Sequence, residues 1–224
     1  MGFIEQLNTE QLKLPLGFIK LVELIFALIA WAAKNGWRFE LQYSCLDGQN
    51  LTKEITHFSL KDVAFENCNG TNVFLFDNSY SGSSSFFGFV AIASIFFVLG
   101  MLFIYLFNWG LYAGDDRVPQ LDLVLTSLLA IFWFLATVFW FFGANGVESA
   151  TEPDRVLKLV KEKHLCEGCE DKFISSYAMY ATLTVSLFAG FGCLVLFASN
   201  MWFTYKETIW FRHHQMNQQP HTLA

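Results

Sequence analysis

The chain has 224 residues, 54% of them hydrophobic and 18% aromatic, with 26 Phe and a mean hydropathy of +0.39, too apolar for a soluble globule or for disorder away from its ends. Its 20 acidic against 14 basic residues give a net charge of -6, which argues against a nucleic-acid surface. Four Pro, five Cys and no fixed-period repeat fit neither a collagen-like chain nor a disulfide-dense scaffold, so an integral membrane protein remains.

A spanning helix needs about 20 apolar residues to cross a hydrocarbon core of about 30 Å. After a short segment, 1–15, the first such run is 16–33, which carries Lys20 and Glu23 three apart on one helical face. The two can pair, but Lys20 is expected to snorkel to the headgroups from about one turn inside the span. No basic n-region precedes this run and no small-x-small site follows it, so it reads as a retained signal anchor. Position six is Gln, not the Ser or Thr of a myristoylation signal, and no prenylation box closes the chain. Three uncharged, Pro-free runs follow at 86–112, 123–147 and 173–205. They leave long loops at 34–85 and 148–172, a turn at 113–122 and a tail at 206–224.

Two sequons, Asn50-Leu51-Thr52 and Asn69-Gly70-Thr71, share the long-loop side with Cys45, Cys68, Cys166 and Cys169. Together they place both loops in a lumen or outside the cell, with both termini cytosolic. The raw charge count points the other way, because nine of the 14 basic residues lie in those loops. The charge rule weighs residues close to the spans, however, and Lys13, Lys20, Lys206 and Arg212 flank the opposite ends.

In the first loop, alternation in 38–43 and 57–61 and the apolar run 73–76 read as short strands of a small antiparallel sheet. A Cys45 to Cys68 bridge would staple that sheet and constrain the unfolded chain by about 3 kcal/mol. In the second loop, Thr151 as cap and Pro153 in the first turn open a short amphipathic helix. It leads to His164-Leu165-Cys166-Glu167-Gly168-Cys169. Zinc wants four ligands and this string offers three, while a thioredoxin-like role wants a βαβ unit, so a structural disulfide is favoured. Four cysteines allow three connectivities, and pairing between loops stays open. Cys193, in mid-span, reads as a small apolar group.

No nucleotide, metalloprotease or nucleophile-elbow motif occurs, and His213, His214 and His221 lie in a polar tail without carboxylate partners. The expectation is a protein that is not an enzyme and uses no cofactor or metal. Uncharged spans also weigh against a conducting pore. Ser186 with Gly190, and Ala189 with Cys193, have the four-residue spacing of close helix packing, within a bundle or between subunits. Trp133-Phe134 and Trp140-Phe141-Phe142 read as lipid-facing or interfacial filling. Lys13, Phe18 and Leu21 form a loose cholesterol-type pattern.

Specific strings carry a resemblance. Pro15-Leu16-Gly17-Phe18-Ile19-Lys20 opens the first span, Glu40-Leu41-Gln42 precedes Cys45, and 77–87 leads into the second span. Leu121-Asp122 opens the third, Ala150-Thr151-Glu152-Pro153 follows it, and Asn200-Met201-Trp202-Phe203 with Lys206-Glu207-Thr208 closes the fourth. In these strings, in order from about Pro15 to Trp210, the chain resembles the synaptophysin (physin) family of MARVEL-type four-span proteins. The resemblance implies an all-α four-helix membrane bundle over 16–205, under a small disulfide-stapled lumenal cap that contains strands. It implies bridges Cys45–Cys68 and Cys166–Cys169, glycan at Asn50 or Asn69, cytosolic termini, and residence on synaptic or secretory vesicles. Homo-oligomers, cholesterol affinity, and binding and sorting of the fusion protein synaptobrevin in vesicle recycling and exocytosis are also implied. The chain departs from the family in the tight spacing of Cys166 and Cys169 and in a short segment after Trp210 where a long Tyr- and Gly-rich tail is usual. The expected function is a vesicle-membrane organiser; the alternative is an oligomeric channel, prompted by the polar Thr126, Ser127, Thr137 and Thr182.

Overall fold

A computed structural model describes residues 10–44, 50–55, 64–66, 72–76, 78–162, 174–211 and 213. Cys45, Cys68, Asn69, Cys166 and Cys169 lie outside the described residues, as does the strand expected at 57–61. In chain order the elements are α1 (Glu10–Lys13), α2 (Pro15–Asn35), β1 (Phe39–Ser44), β2 (Asn50–Ile55), β3 (Ala64–Glu66) and β4 (Asn72–Phe74). Then come α3 (Ser81–Phe107), α4 (Trp109–Gly114), α5 (Arg117–Thr151), α6 (Pro153–Glu162), β5 (Ile174–Ala178) and α7 (Tyr180–Glu207). The helices α2, α3, α5 and α7, of 21, 27, 35 and 28 residues, are long and apolar enough to cross a membrane.

The spans differ from the expected bounds for local reasons. The second breaks at Asn108, whose φ of -140° and ψ of 44° leave the helix, and the chain re-enters the short α4. The third starts at Arg117 and accommodates Pro119 in its first turn, where the missing N–H is one of the unpaired donors anyway. At 1.5 Å per residue its 35 residues extend about 52 Å, well beyond a hydrocarbon core. The fourth starts at Tyr180, not at 173, because residues 174–178 pair with β1 as a strand. Thr151 does not cap α6. Its hydroxyl donates to the Val147 carbonyl at 2.7 Å, closing α5, and lies 3.0 Å from the Tyr180 hydroxyl.

The chain forms two compact units, each containing a segment of all four long helices. One comprises Met1–Ile29, Phe89–Leu135 and Phe188–Ala224, the other Ala30–Gly88 and Ala136–Leu187. In the first unit, Leu16, Met101, Tyr105 and Tyr112 form an apolar cluster backed by Phe97, Ile104, Trp109, Val118 and Phe203. Trp133 is fully buried there and donates its indole N–H to Ser94 Oγ at 2.9 Å.

The second unit holds the sheets. Antiparallel strands run in the order β2-β1-β5, so that β1 is paired along both edges, Phe39 with Ile55 on one side and with Ala178 on the other. Alternation along β1 buries Phe39 and Leu41 and exposes Gln42, while Trp37 stacks on Phe39 with ring centroids 6.1 Å apart. β3 and β4 pair antiparallel in a separate two-stranded sheet. Trp140 fills this unit's helical core and donates to Ser186 Oγ at 2.9 Å. The indoles of Trp133 and Trp140 are therefore core groups that satisfy their N–H on a neighbouring helix, not lipid-facing ones, whereas Phe134, Phe141 and Phe142 do face outward. Gly143 and Gly146, one turn apart on α5, leave room for Ser83 and Tyr80 respectively; a Cβ at Gly146 would fall 2.6 Å from Tyr80 Cζ.

Candidate functional site

The first unit contains a cluster of ionisable and polar side chains with no access to solvent or lipid. Lys20 and Glu23 come from α2, Tyr105 from the end of α3, Tyr112 from α4, Asp122 and Thr126 from α5, and Asn200 from α7. Their positions follow from helical spacing: Lys20 and Glu23 are i and i+3, Asp122 and Thr126 i and i+4, so each pair shares one inward face. Lys20, Glu23, Thr126 and Asn200 have 0% exposure and Asp122 1%.

Lys20 does not snorkel. Its Nζ lies 3.2 Å from Asp122 Oδ1 and 3.5 Å from Glu23 Oε2, donates to Thr126 Oγ1 at 3.2 Å, and sits 4.5 Å from the centroid of the Phe97 ring. Carrying an ammonium alone into an apolar interior costs several kcal/mol, and two carboxylates with an aromatic face offset that cost. Asp122 is the hub. Its Oδ2 accepts from Tyr105 at 2.6 Å and from Tyr112 at 3.3 Å, and its Oδ1 accepts from Thr126 at 3.1 Å. Glu23 is more sparsely served: Asn200 Nδ2 donates to Oε1 at 2.9 Å, while Oε2 has no hydrogen bond and Asn200 Oδ1 has no partner.

The sequence singled out Lys20 and Glu23 but placed Asp122 just outside an uncharged span. The earlier start of α5 puts it inside the helix and makes it the main counter-charge. The signal available in the sequence was its sign: a lone carboxylate at the edge of an uncharged run, facing a lone ammonium near the end of another span. Tyr105, Tyr112 and Asn200 carried no comparable signal, since each is also common as filling or at interfaces.

The remaining expected site residues are dispersed. Ser186 is buried in the second unit, where it accepts from Trp140 and donates to the Leu183 carbonyl at 2.7 Å. Gly190, Ala189 and Cys193 are buried in the first unit. Their neighbour Gly192 packs against Phe26, whose ring would collide with a Cβ there. Asn50 begins β2 opposite Ser44. Phe18 and Leu21 of the cholesterol-type pattern are exposed. Of the hydroxyls that prompted the channel alternative, Thr126 belongs to the buried cluster, Ser127 donates to the Leu123 carbonyl and Thr182 to that of Met179.

The outward faces are apolar. On α3, Phe89, Ile92, Phe96, Leu99 and Phe103 are all exposed and recur at alternating intervals of three and four, a continuous stripe along the helix. Phe188, Phe191 and Val195 do the same on α7. In the second unit Tyr80, Gly82, Ser83, Phe86, Phe139 and Phe142 line a groove of about 490 Å³. Polar groups turned inward and large apolar side chains turned outward are the arrangement a bilayer requires.

The profile of MARVEL, a membrane-associating domain, matches residues 11–203, which take in α2, α3 and α5, and α7 as far as Phe203. The chain is a multi-pass membrane protein and belongs to the MARVEL family of membrane-associating domains.

Proposed function

We propose that this chain is a synaptophysin-like, non-enzymatic organiser of synaptic or secretory vesicle membranes. It oligomerises and holds a synaptobrevin-type fusion protein for sorting and recycling. The observation that carries the reading is the stripe of exposed Phe and aliphatic residues on α3, from Phe89 to Phe103. A partner's transmembrane helix can pack along such a face through shape and dispersion, without a hydrogen bond to exchange. Ser186, Ala189, Gly190 and Cys193 of α7 are buried in the chain's own interior, so partner and self contacts run through the large side chains instead.

On this reading the long loops face the vesicle lumen, carry the two disulfides and the glycan, and both termini are cytosolic. The groove beside Phe86 and Phe139 offers an apolar surface to a sterol or an acyl chain, in keeping with cholesterol affinity. The channel alternative has less support, because Thr126 is sealed in the buried cluster and Ser127 and Thr182 already donate to nearby backbone carbonyls.

The test is a span exchange. When the cargo's transmembrane segment is replaced by an unrelated hydrophobic helix, co-purification with this chain should fall at least tenfold. Unchanged recovery would refute an in-membrane mechanism.

A further inference from the structure

The buried cluster is out of charge balance. Lys20 brings one positive charge, Glu23 and Asp122 bring two negative ones, and all three are sealed from solvent. An unpaired charge at membrane depth is costly enough that the group normally neutralises or finds a counter-ion. The two carboxyls are served very differently. Asp122 receives Tyr105, Tyr112, Thr126 and Lys20, which fill both of its oxygens and suit the ionised form. Glu23 receives one hydrogen bond, from Asn200, and its Oε2 has none, only the Lys20 ammonium at 3.5 Å.

Two acceptors, Glu23 Oε2 and Asn200 Oδ1, are thus buried without a hydrogen bond in a region of surplus negative charge. We infer that Glu23 is a proton-binding site: one proton resides on its carboxyl at neutral pH, is shared with the Asn200 amide, and leaves Lys20 and Asp122 as the ion pair. The Asn200 amide serves either protonation state, donating through Nδ2 to the carboxylate or, turned over, accepting through Oδ1 from the acid. Proton uptake converts Glu–COO⁻ and H⁺ from water into Glu–COOH, with no other reactant.

The groups that face Glu23 are consistent with this. From α2 comes Lys20, already held by Asp122 at the shorter distance; from α5 comes Asp122 itself, a like charge; from α7 come Asn200 and the Cys193 thiol. From α3, Tyr105 is committed to Asp122. A metal cation in place of the proton would need several oxygen ligands, and this cluster leaves only two acceptors without a hydrogen bond. The inference does not depend on the vesicle reading, since it concerns the chain's own interior.

The experiment is infrared spectroscopy of the full chain in lipid nanodiscs at pH 7, unlabelled and with ¹³C in the side-chain carboxyl of either Glu or Asp. Exposed carboxyls are ionised at that pH, so a carboxylic-acid C=O band reports a buried acid. The expected result is one such band that shifts with labelled Glu, does not shift with labelled Asp, and disappears in Glu23→Gln. In Asp122→Asn, which balances the cluster by itself, the band should be lost although Glu23 is intact. A spectrum of the unlabelled chain with no acid band would overturn the inference, as would a band that follows the Asp label. Thermal stability that rises with sodium or potassium and no acid band would assign the site to a cation instead. The labelled wild type decides the matter even if a variant fails to fold.

Discussion

Lys20 Nζ lies 3.2 Å from Asp122 Oδ1, a contact between the first and third spans in which both side chains are fully buried. An ion pair of this kind is a stronger constraint on which helices meet than a source of net stability, because desolvation consumes much of the attraction. Removing one partner should therefore cost far more than removing both. We expect Lys20→Met to lower stability by about 3–5 kcal/mol, and the double variant Lys20→Met with Asp122→Leu to recover a substantial part of that loss. Reversible unfolding in nanodiscs measures both; a double variant that loses the sum of the two single losses would show that the charges act independently.

The two buried indoles predict a smaller effect. Ser94 and Ser186 each accept a single Trp N–H at 2.9 Å, from Trp133 and Trp140 respectively. Hydrogen bonds between helices in membranes average about 0.6 kcal/mol and reach about 1.7. Ser94→Ala and Ser186→Ala should each fall in that range by the same unfolding assay, with the Trp fluorescence altered. A loss above about 3 kcal/mol would mean that the serines do more than accept these bonds.

Glycine substitutions should split by position. A Cβ at Gly146 would enter the Tyr80 ring, so Gly146→Ala should destabilise by about 1–3 kcal/mol through overpacking. Nothing lies within 4 Å of a Cβ at Gly100, an exposed position inside α3, so Gly100→Ala should be neutral or stabilise by up to about 1 kcal/mol. The pair is compared by thermal unfolding; destabilisation at Gly100 would reveal a contact on the outward face.

The outward face itself predicts a separation of stability from association. Phe96 is 71% exposed and touches little of its own chain, so Phe96→Ala should leave unfolding unchanged. If the α3 stripe binds a partner or a second copy, the same substitution should cut membrane crosslinking by several-fold. Unchanged crosslinking together with unchanged stability would leave this face to lipid alone.

Much of the fold was legible because a bilayer imposes a simple rule on sequence: long uncharged runs become helices. Four runs gave four helices, and alternation around Phe39 and Leu41 gave β1. The misplacements occurred where an uncharged stretch had another way to satisfy its backbone. Residues 174–178 are as free of charge as the span that follows, but β1 offers them a ladder, and that pairing is not encoded in local periodicity. Lys20 illustrates the same limit at the site. Local sequence favours snorkelling for a lysine one turn inside a span, and only the longer α5, with Asp122 on its inward face, reveals the pairing. For Trp133 and Trp140, residue type reports an amphipathic ring, not which way the helix is turned, so their burial is not legible from sequence.

The most direct test of the proposed function is affinity purification of the tagged chain from secretory cells after membrane crosslinking, with co-purifying proteins identified and counted. The account predicts a synaptobrevin-type fusion protein in a fixed ratio to this chain, lost when the α3 stripe is changed at Phe89, Phe96 and Phe103. A homo-oligomer recovered without any fusion protein would contradict it.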